Sequence, residues 1–84
     1  MATILRAGKY IFGVDLPVGK YNLKAIKGSG QFKYKRGRDW MWFGVDNDYD
    51  AREYRNLDGT DGYWFELTGS VEVEITRSKM IDIE

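Results

Sequence analysis

Three groups of residues in this 84-residue chain are of types that could do chemistry. In Gln31–Phe43, "QFKYKRGRDWMWF", the bases Lys33, Lys35, Arg36 and Arg38 interleave with the rings of Phe32, Tyr34, Trp40 and Trp42. Single-stranded nucleic acid is held by basic grooves with stacking rings of this kind. The same Trp40 and Trp42, with Tyr63 and Trp64, could instead make a contact platform for a glycan or a protein, because a ring on a rigid strand loses little entropy on binding. The third group is Asp46, Asp48 and Asp50, at the first, third and fifth positions of a calcium loop. An EF-hand needs glycine sixth and glutamate twelfth, where this chain has Ala51 and Leu57. What is left is an irregular calcium site with those three aspartates as ligands, against which a solvated acidic loop is the simpler account.

Other chemistry is missing at the level of residue type. There is no histidine and no cysteine, which removes the commonest general base, the usual transition-metal ligands and any disulfide. Ser29, Ser70 and Ser78 therefore have no triad partner. Ser78-Lys79 is better read as a solvated strand end. A domain of this length has little room for a cleft as well as a core, so the chain is read as non-enzymatic, with no cofactor.

The glycine-rich stretch "GKYIFGVDLPVGKYNLKAIKGSG", Gly8–Gly30, could be taken for a phosphate cradle. Such a loop must lead from a strand into a helix N-terminus. Gly28-Ser29-Gly30 leads instead into "QFKYK", which alternates like a strand, and no Gly-Lys-Ser/Thr follows. The glycines are read as turns, with a hairpin connection at Gly28–Gly30.

The elements that must position these groups are strands. Period two puts Tyr21, Leu23 and Ala25 on one face, then Phe32 and Tyr34, then Val71, Val73 and Ile75. "KYIFGV" and "WMWFGV" are more apolar than the alternating stretches and predict central strands covered on both sides. Trp40 and Trp42 share one face of their strand, and Met41 and Phe43 the other. In so small a core most of the four candidate platform rings are expected to be buried. "YWFEL" is a further strand, and "DAREYRNL" is read as a strand ending at Leu57. Turn chemistry separates the strands, including Asp15-Leu16-Pro17-Val18-Gly19, where Pro17 suits the second turn position and the Asp15 carboxylate can accept backbone amides.

Residues 1–84 make one domain, which buries only about 60–65% of its unfolded surface. Thirteen aromatic residues are the means of filling its core. The formal net charge of zero weighs against a general polyanion binder. Residues 1–38 nevertheless hold nine bases against one acid, and residues 39–84 four bases against twelve acids. Pairing of oppositely charged neighbouring strands is the expected resolution. No apolar run reaches the length of a membrane span, so no membrane insertion is expected, and either the cytoplasm or an exported protein would suit the domain. The fold expected is all-β: a small antiparallel sandwich of jelly-roll type, with a small barrel as runner-up.

Gly8-x-Tyr10-x-x-Gly13-x-Asp15-Leu16-Pro17-x-Gly19-x-Tyr21, followed by Gly28-Ser29-Gly30, resembles a motif of small uncharacterised β domains in proteins of Gram-positive bacteria. The second half is similar only through Tyr54-x-Asn56-Leu57 and Gly69-x-Val71-x-Val73-x-Ile75. The resemblance implies a compact β domain, found alone or beside export and anchoring segments, and no activity. The function expected is a binding or interaction module for cell-surface glycan or protein. Single-stranded nucleic acid and a self-associating structural domain, a homo-oligomer, are the alternatives.

Overall fold

The computed structural model describes residues 3–34 and 39–78. Eight strands account for the regular structure: β1 (Thr3–Leu5), β2 (Gly8–Ile11), β3 (Gly19–Lys27), β4 (Ser29–Tyr34), β5 (Asp39–Gly44), β6 (Glu53–Gly59), β7 (Trp64–Leu67) and β8 (Glu72–Arg77). There is no helix among the described residues, and so none long and apolar enough to cross a membrane. The strands form two antiparallel four-stranded sheets, ordered β1-β8-β3-β6 and β2-β7-β4-β5. Strands pair as β1 with β8, β2 with β7, β3 with β6 and β4 with β5, like one long hairpin rolled up. The β3–β8 and β4–β7 ladders complete the two sheets. This is the jelly-roll sandwich, unclosed, as the alternation and turn spacing predict.

The core lies between the sheets. Tyr21, Leu23 and Ala25 face it from β3, Phe32 and Tyr34 from β4, and Val71, Val73 and Ile75 from β8 and the residue before it. At its centre is Phe32, whose ring lies 5.2–5.8 Å from those of Phe43, Tyr54 and Phe65. Phe12 stacks on Tyr21 at 5.5 Å and continues the cluster. Each of these rings contributes about 2–3 kcal/mol by leaving water, which is how so short a chain holds together without disulfides.

The two Gly-Lys-Tyr tripeptides play the same part. The hydroxyls of Tyr10 and Tyr21 donate to the carbonyls of Arg6 and Pro17, each four residues back and each at 2.7 Å. These are tyrosine corners, which fix the entry of a strand into its sheet. Between them the chain turns tightly from Ile11 to Leu16, with the amide of Ile11 donating to Asp15 Oδ2 at 2.8 Å. The carboxylate therefore takes a backbone amide, and the hydrogen-bonded turn ends just upstream of Pro17.

Three local expectations are corrected. Gly28 is not in a hairpin: β3 and β4 belong to different sheets, and this one residue, with φ of 74°, carries the chain between them. β2 and β5 are not central but form the two edges of the second sheet. Their apolar character has two sources: in β5 rings occupy outward as well as inward positions, whereas in β2 Tyr10 packs against the core and Ile11 takes the outward place paired with Trp64. The strand that was expected to end at Leu57 runs on to Gly59. A bulge interrupts its alternation, since Tyr21 pairs with Leu57 but Leu23 with Tyr54, and Asn56 takes the left-handed conformation with φ of 56°.

The basic and acidic halves interleave. Lys24 stands in register between Glu53 and Glu74 in the first sheet, and Lys20 opposite Asp58. In the second sheet Glu66 stands between Lys9 and Lys33.

Two core phenols give the stability a pH dependence. Burial, then the nearby Asp58 carboxylate, pushes the ionisation of Tyr34 far above the ordinary phenol value, and its hydroxyl bonds the Asp58 carbonyl. Burial and then Asp39 push Tyr54 upward as well. Stability from such raised values is complete below the unfolded-chain value of about 10 and is lost as pH rises beyond it. The urea midpoint is therefore expected to hold steady to about pH 9.5 and then fall, with a shallower fall for Tyr34→Phe. Identical slopes in the two proteins would remove Tyr34 from the explanation.

Candidate functional site

The candidate site is the outer face of the second sheet. Along β5, Met41 and Phe43 turn inward, which sends Trp40 and Trp42 out. They are 50% and 45% exposed, against the expectation of burial. The inward places are already filled, Phe43 being fully buried, so the indoles have no core position to take. Their centroids lie 5.4 Å apart with the rings at 81°. Tyr49, from the loop after β5 and 71% exposed, packs against Trp42 at 6.4 Å and 76°. The three rings thus form a stepped edge-to-face series along one margin of the sheet.

Polar side chains complete the face. In register, Gln31 lies opposite Trp42 and Lys33 opposite Trp40. Beyond Lys33 come Glu66 on β7 and Lys9 on β2, so that one row reads Lys9, Glu66, Lys33, Trp40 across all four strands. Trp64 shares this face at its far side, half-buried, with the Lys9 ammonium 4.2 Å above its ring. That contact is a cation–π pair and holds Lys9 at the β2 margin.

The four rings singled out in the sequence are therefore divided. Trp40 and Trp42 touch, and Trp64 stands two strands away, about 10 Å across the same face. Tyr63 does not belong with them. It precedes Trp64 and so falls on the opposite side, where its ring meets Tyr34 at 6.3 Å on the rim of the core. Of the basic set, Lys33 lies on the face, while Lys35, Arg36 and Arg38 lie outside the described residues.

The aspartates are not brought together. Asp46 and Asp48 are exposed, but Asp50 is turned inward and only 6% exposed. Its Oδ2 accepts from the Ser29 hydroxyl at 2.8 Å and the Asn47 amide at 3.1 Å, which pins the loop to the crossing between β3 and β4. No cluster of three acidic residues suited to a metal ion occurs among the described residues. Of the three only Asp50 has a structural part, as a loop clasp, because spacing along an irregular segment does not set the direction of its side chains.

Sequence reasoning missed Tyr49, Gln31, Glu66 and Lys9. The last three occupy outward positions of alternating strands and become visible once the register is known. Tyr49 is in an irregular loop and gives no periodic signal.

The open edge of β5 is partly guarded. Ala51 donates to the Trp42 carbonyl at 2.9 Å and accepts from the Gly44 amide at 3.0 Å, which covers the C-terminal part of the strand. Covering an edge in this way blocks unplanned strand pairing.

Fold and face together define a class: a jelly-roll sandwich with an exposed aromatic and charged face on one sheet. Comparison with protein-family models, curated proteins and solved structures finds no match.

Proposed function

We propose that the protein is a non-enzymatic binding module that holds a glycan on the outer face of the β2-β7-β4-β5 sheet. The observation that carries this reading is the pair of touching indoles, Trp40 and Trp42, kept in water on a rigid strand. Full burial of a large apolar side chain is worth about 1.5–3 kcal/mol, so this exposure gives up stability that a small domain could use. Sugar rings present C–H faces that pack on indole, and Gln31, Lys33 and Glu66 are placed to bond their hydroxyls.

Area separates a glycan from a protein partner. Four strands at ~4.8 Å and about five residues at ~3.3 Å give a face of roughly 300–400 Å². A stable protein–protein interface buries about 800 Å² on each side. The face suits a short chain-like ligand better than a globular partner or a second copy. The resemblance to domains that occur beside export and anchoring segments fits a ligand at the cell surface.

Single-stranded nucleic acid is the second reading, favoured by the position of Lys33 beside Trp40 and opposed by Glu66 on the other side of that lysine. Intrinsic tryptophan fluorescence, titrated with oligosaccharides and with oligonucleotides, tests both. Trp40→Ala and Trp42→Ala are each expected to weaken glycan binding about tenfold or more while the melting temperature stays within a few degrees. Absence of any glycan response, or unchanged affinity in both variants, would dismiss the reading. Concentration-dependent light scattering without ligand binding would favour the self-associating alternative.

A further inference from the structure

We infer that the glycan is an acidic one, whose carboxylate or phosphate is held by Lys33 while a neighbouring sugar ring lies on Trp40. The inference rests on the proposed glycan reading and narrows it. Its basis is the charge order of the row that crosses the face. Lys9, Glu66, Lys33 and Trp40 follow one another in register, one strand apart, or ~4.8 Å. One carboxylate thus stands between two ammonium groups. The Lys9 ammonium is engaged over Trp64. Lys33 has Trp40, not a second acid, as its other neighbour, and it makes no ion pair among the described residues.

The first sheet shows the reverse order. There the row reads Glu74, Lys24, Glu53, with the lysine enclosed by acids on both sides. Its outer face carries no exposed tryptophan. The face with the aromatic series is therefore also the one whose central row carries a surplus positive charge, and that charge lies beside the more exposed indole.

Ring geometry adds to this. Two indoles at 81° do not form one flat platform for successive sugars. One ring face serves one sugar, so specificity along the chain must come from the polar groups next to it. Lys33 is the nearest cation in register with Trp40, and a charge-assisted hydrogen bond to an anion is roughly twice as strong as a neutral one.

The experiment compares four probes of matched length at low and high salt: a neutral glucan, a uronate oligosaccharide, a phosphate-substituted oligosaccharide and an oligothymidylate. At least one acidic glycan is expected to bind about tenfold more tightly than the neutral one, with the advantage shrinking at high salt. The uronate and phosphate arms show which anion is preferred. Lys33→Gln is expected to bring the acidic glycans down to the neutral affinity, Lys33→Arg to keep most of the preference, and Trp40→Ala to lose all probes. Equal binding of neutral and acidic glycans, or a preference surviving Lys33→Gln, overturns this inference and leaves the glycan reading standing. Failure of every glycan overturns both. Binding of oligothymidylate above the glycans transfers the face to nucleic acid.

Discussion

Phe32→Ala is expected to remove a large part of the domain's stability, and most of it if the total lies near the lower end of the range for this length. The ring is fully buried and meets Tyr34, Phe43, Tyr54 and Phe65, joining both sheets at their centre. Removing a buried phenyl ring costs about 3–5 kcal/mol, through lost burial and the cavity left behind. A domain of this length has a total stability of about 4–12 kcal/mol, with the lower end expected of so small a core. Each kcal/mol corresponds to about 4–8 °C of melting temperature, so a fall of 15 °C or more, roughly, should appear in circular dichroism. Phe32→Leu, which keeps most of the volume, should lose much less. A Phe32→Ala melt within a few degrees of the parent would show that the core is organised around another ring.

Gly30→Ala should come close to it in effect, for a different reason. A Cβ on Gly30 would overlap the Thr68 carbonyl and press on Gly69 Cα, both of them backbone atoms. The approach is fixed from both sides: Thr68 donates to the Gln31 carbonyl and Ser70 to the Ser29 carbonyl, each at 3.0 Å. The side chains of Thr68 and Ser70 accept the Gln31 and Ser29 amides in return, each at 3.2 Å. Relief requires β4 to separate from the turn after β7, at a cost of about 3 kcal/mol or more. Gly62→Ala is the control. There the cause is the reverse: its φ of 87° disfavours a side chain while a Cβ meets open space, whereas Gly30 is not among the glycines of positive φ, so about 1 kcal/mol is expected for Gly62→Ala. Equal melting of the two variants would mean that the close approach of β4 to Thr68 and Gly69 relaxes at little cost.

What could be read in the sequence was direction within a strand. Tyr21-Leu23-Ala25, Phe32-Tyr34 and Val71-Val73-Ile75 all face the core, because a two-residue period with one charged face has a single favourable orientation. The β5 strand lacks that asymmetry. Trp40 and Trp42 are as apolar as Met41 and Phe43, so the pattern left two orientations open and the small-core argument chose burial for the indoles. Sheet membership was equally hidden. Gly28 between two alternating strands reads the same whether the chain turns back or crosses to the other sheet, and only the pairing of β3 with β8 and of β4 with β7 decides. The bulge at Asn56 blurred β6 for a related reason, since an extra residue breaks the period on which the strand assignment relies.

The rolled-hairpin pairing also ranks the strands by the entropy of bringing them together. β4 and β5 are joined by four residues, whereas β1 and β8 are separated by nearly the whole chain. Loop closure grows costlier with length, by about 0.6 kcal/mol for each doubling, so ladders near the β4–β5 connection are the least expensive to start and β1–β8 the last to be rewarded. During synthesis β1 has no partner until β8 has been made. Much of the proposed site lies on the innermost pair: Trp40 and Trp42 on β5, with Gln31 and Lys33 on β4. The face that would meet the ligand is thus built largely from the most local pairing in the fold, while the N-terminal strand depends on the most distant one.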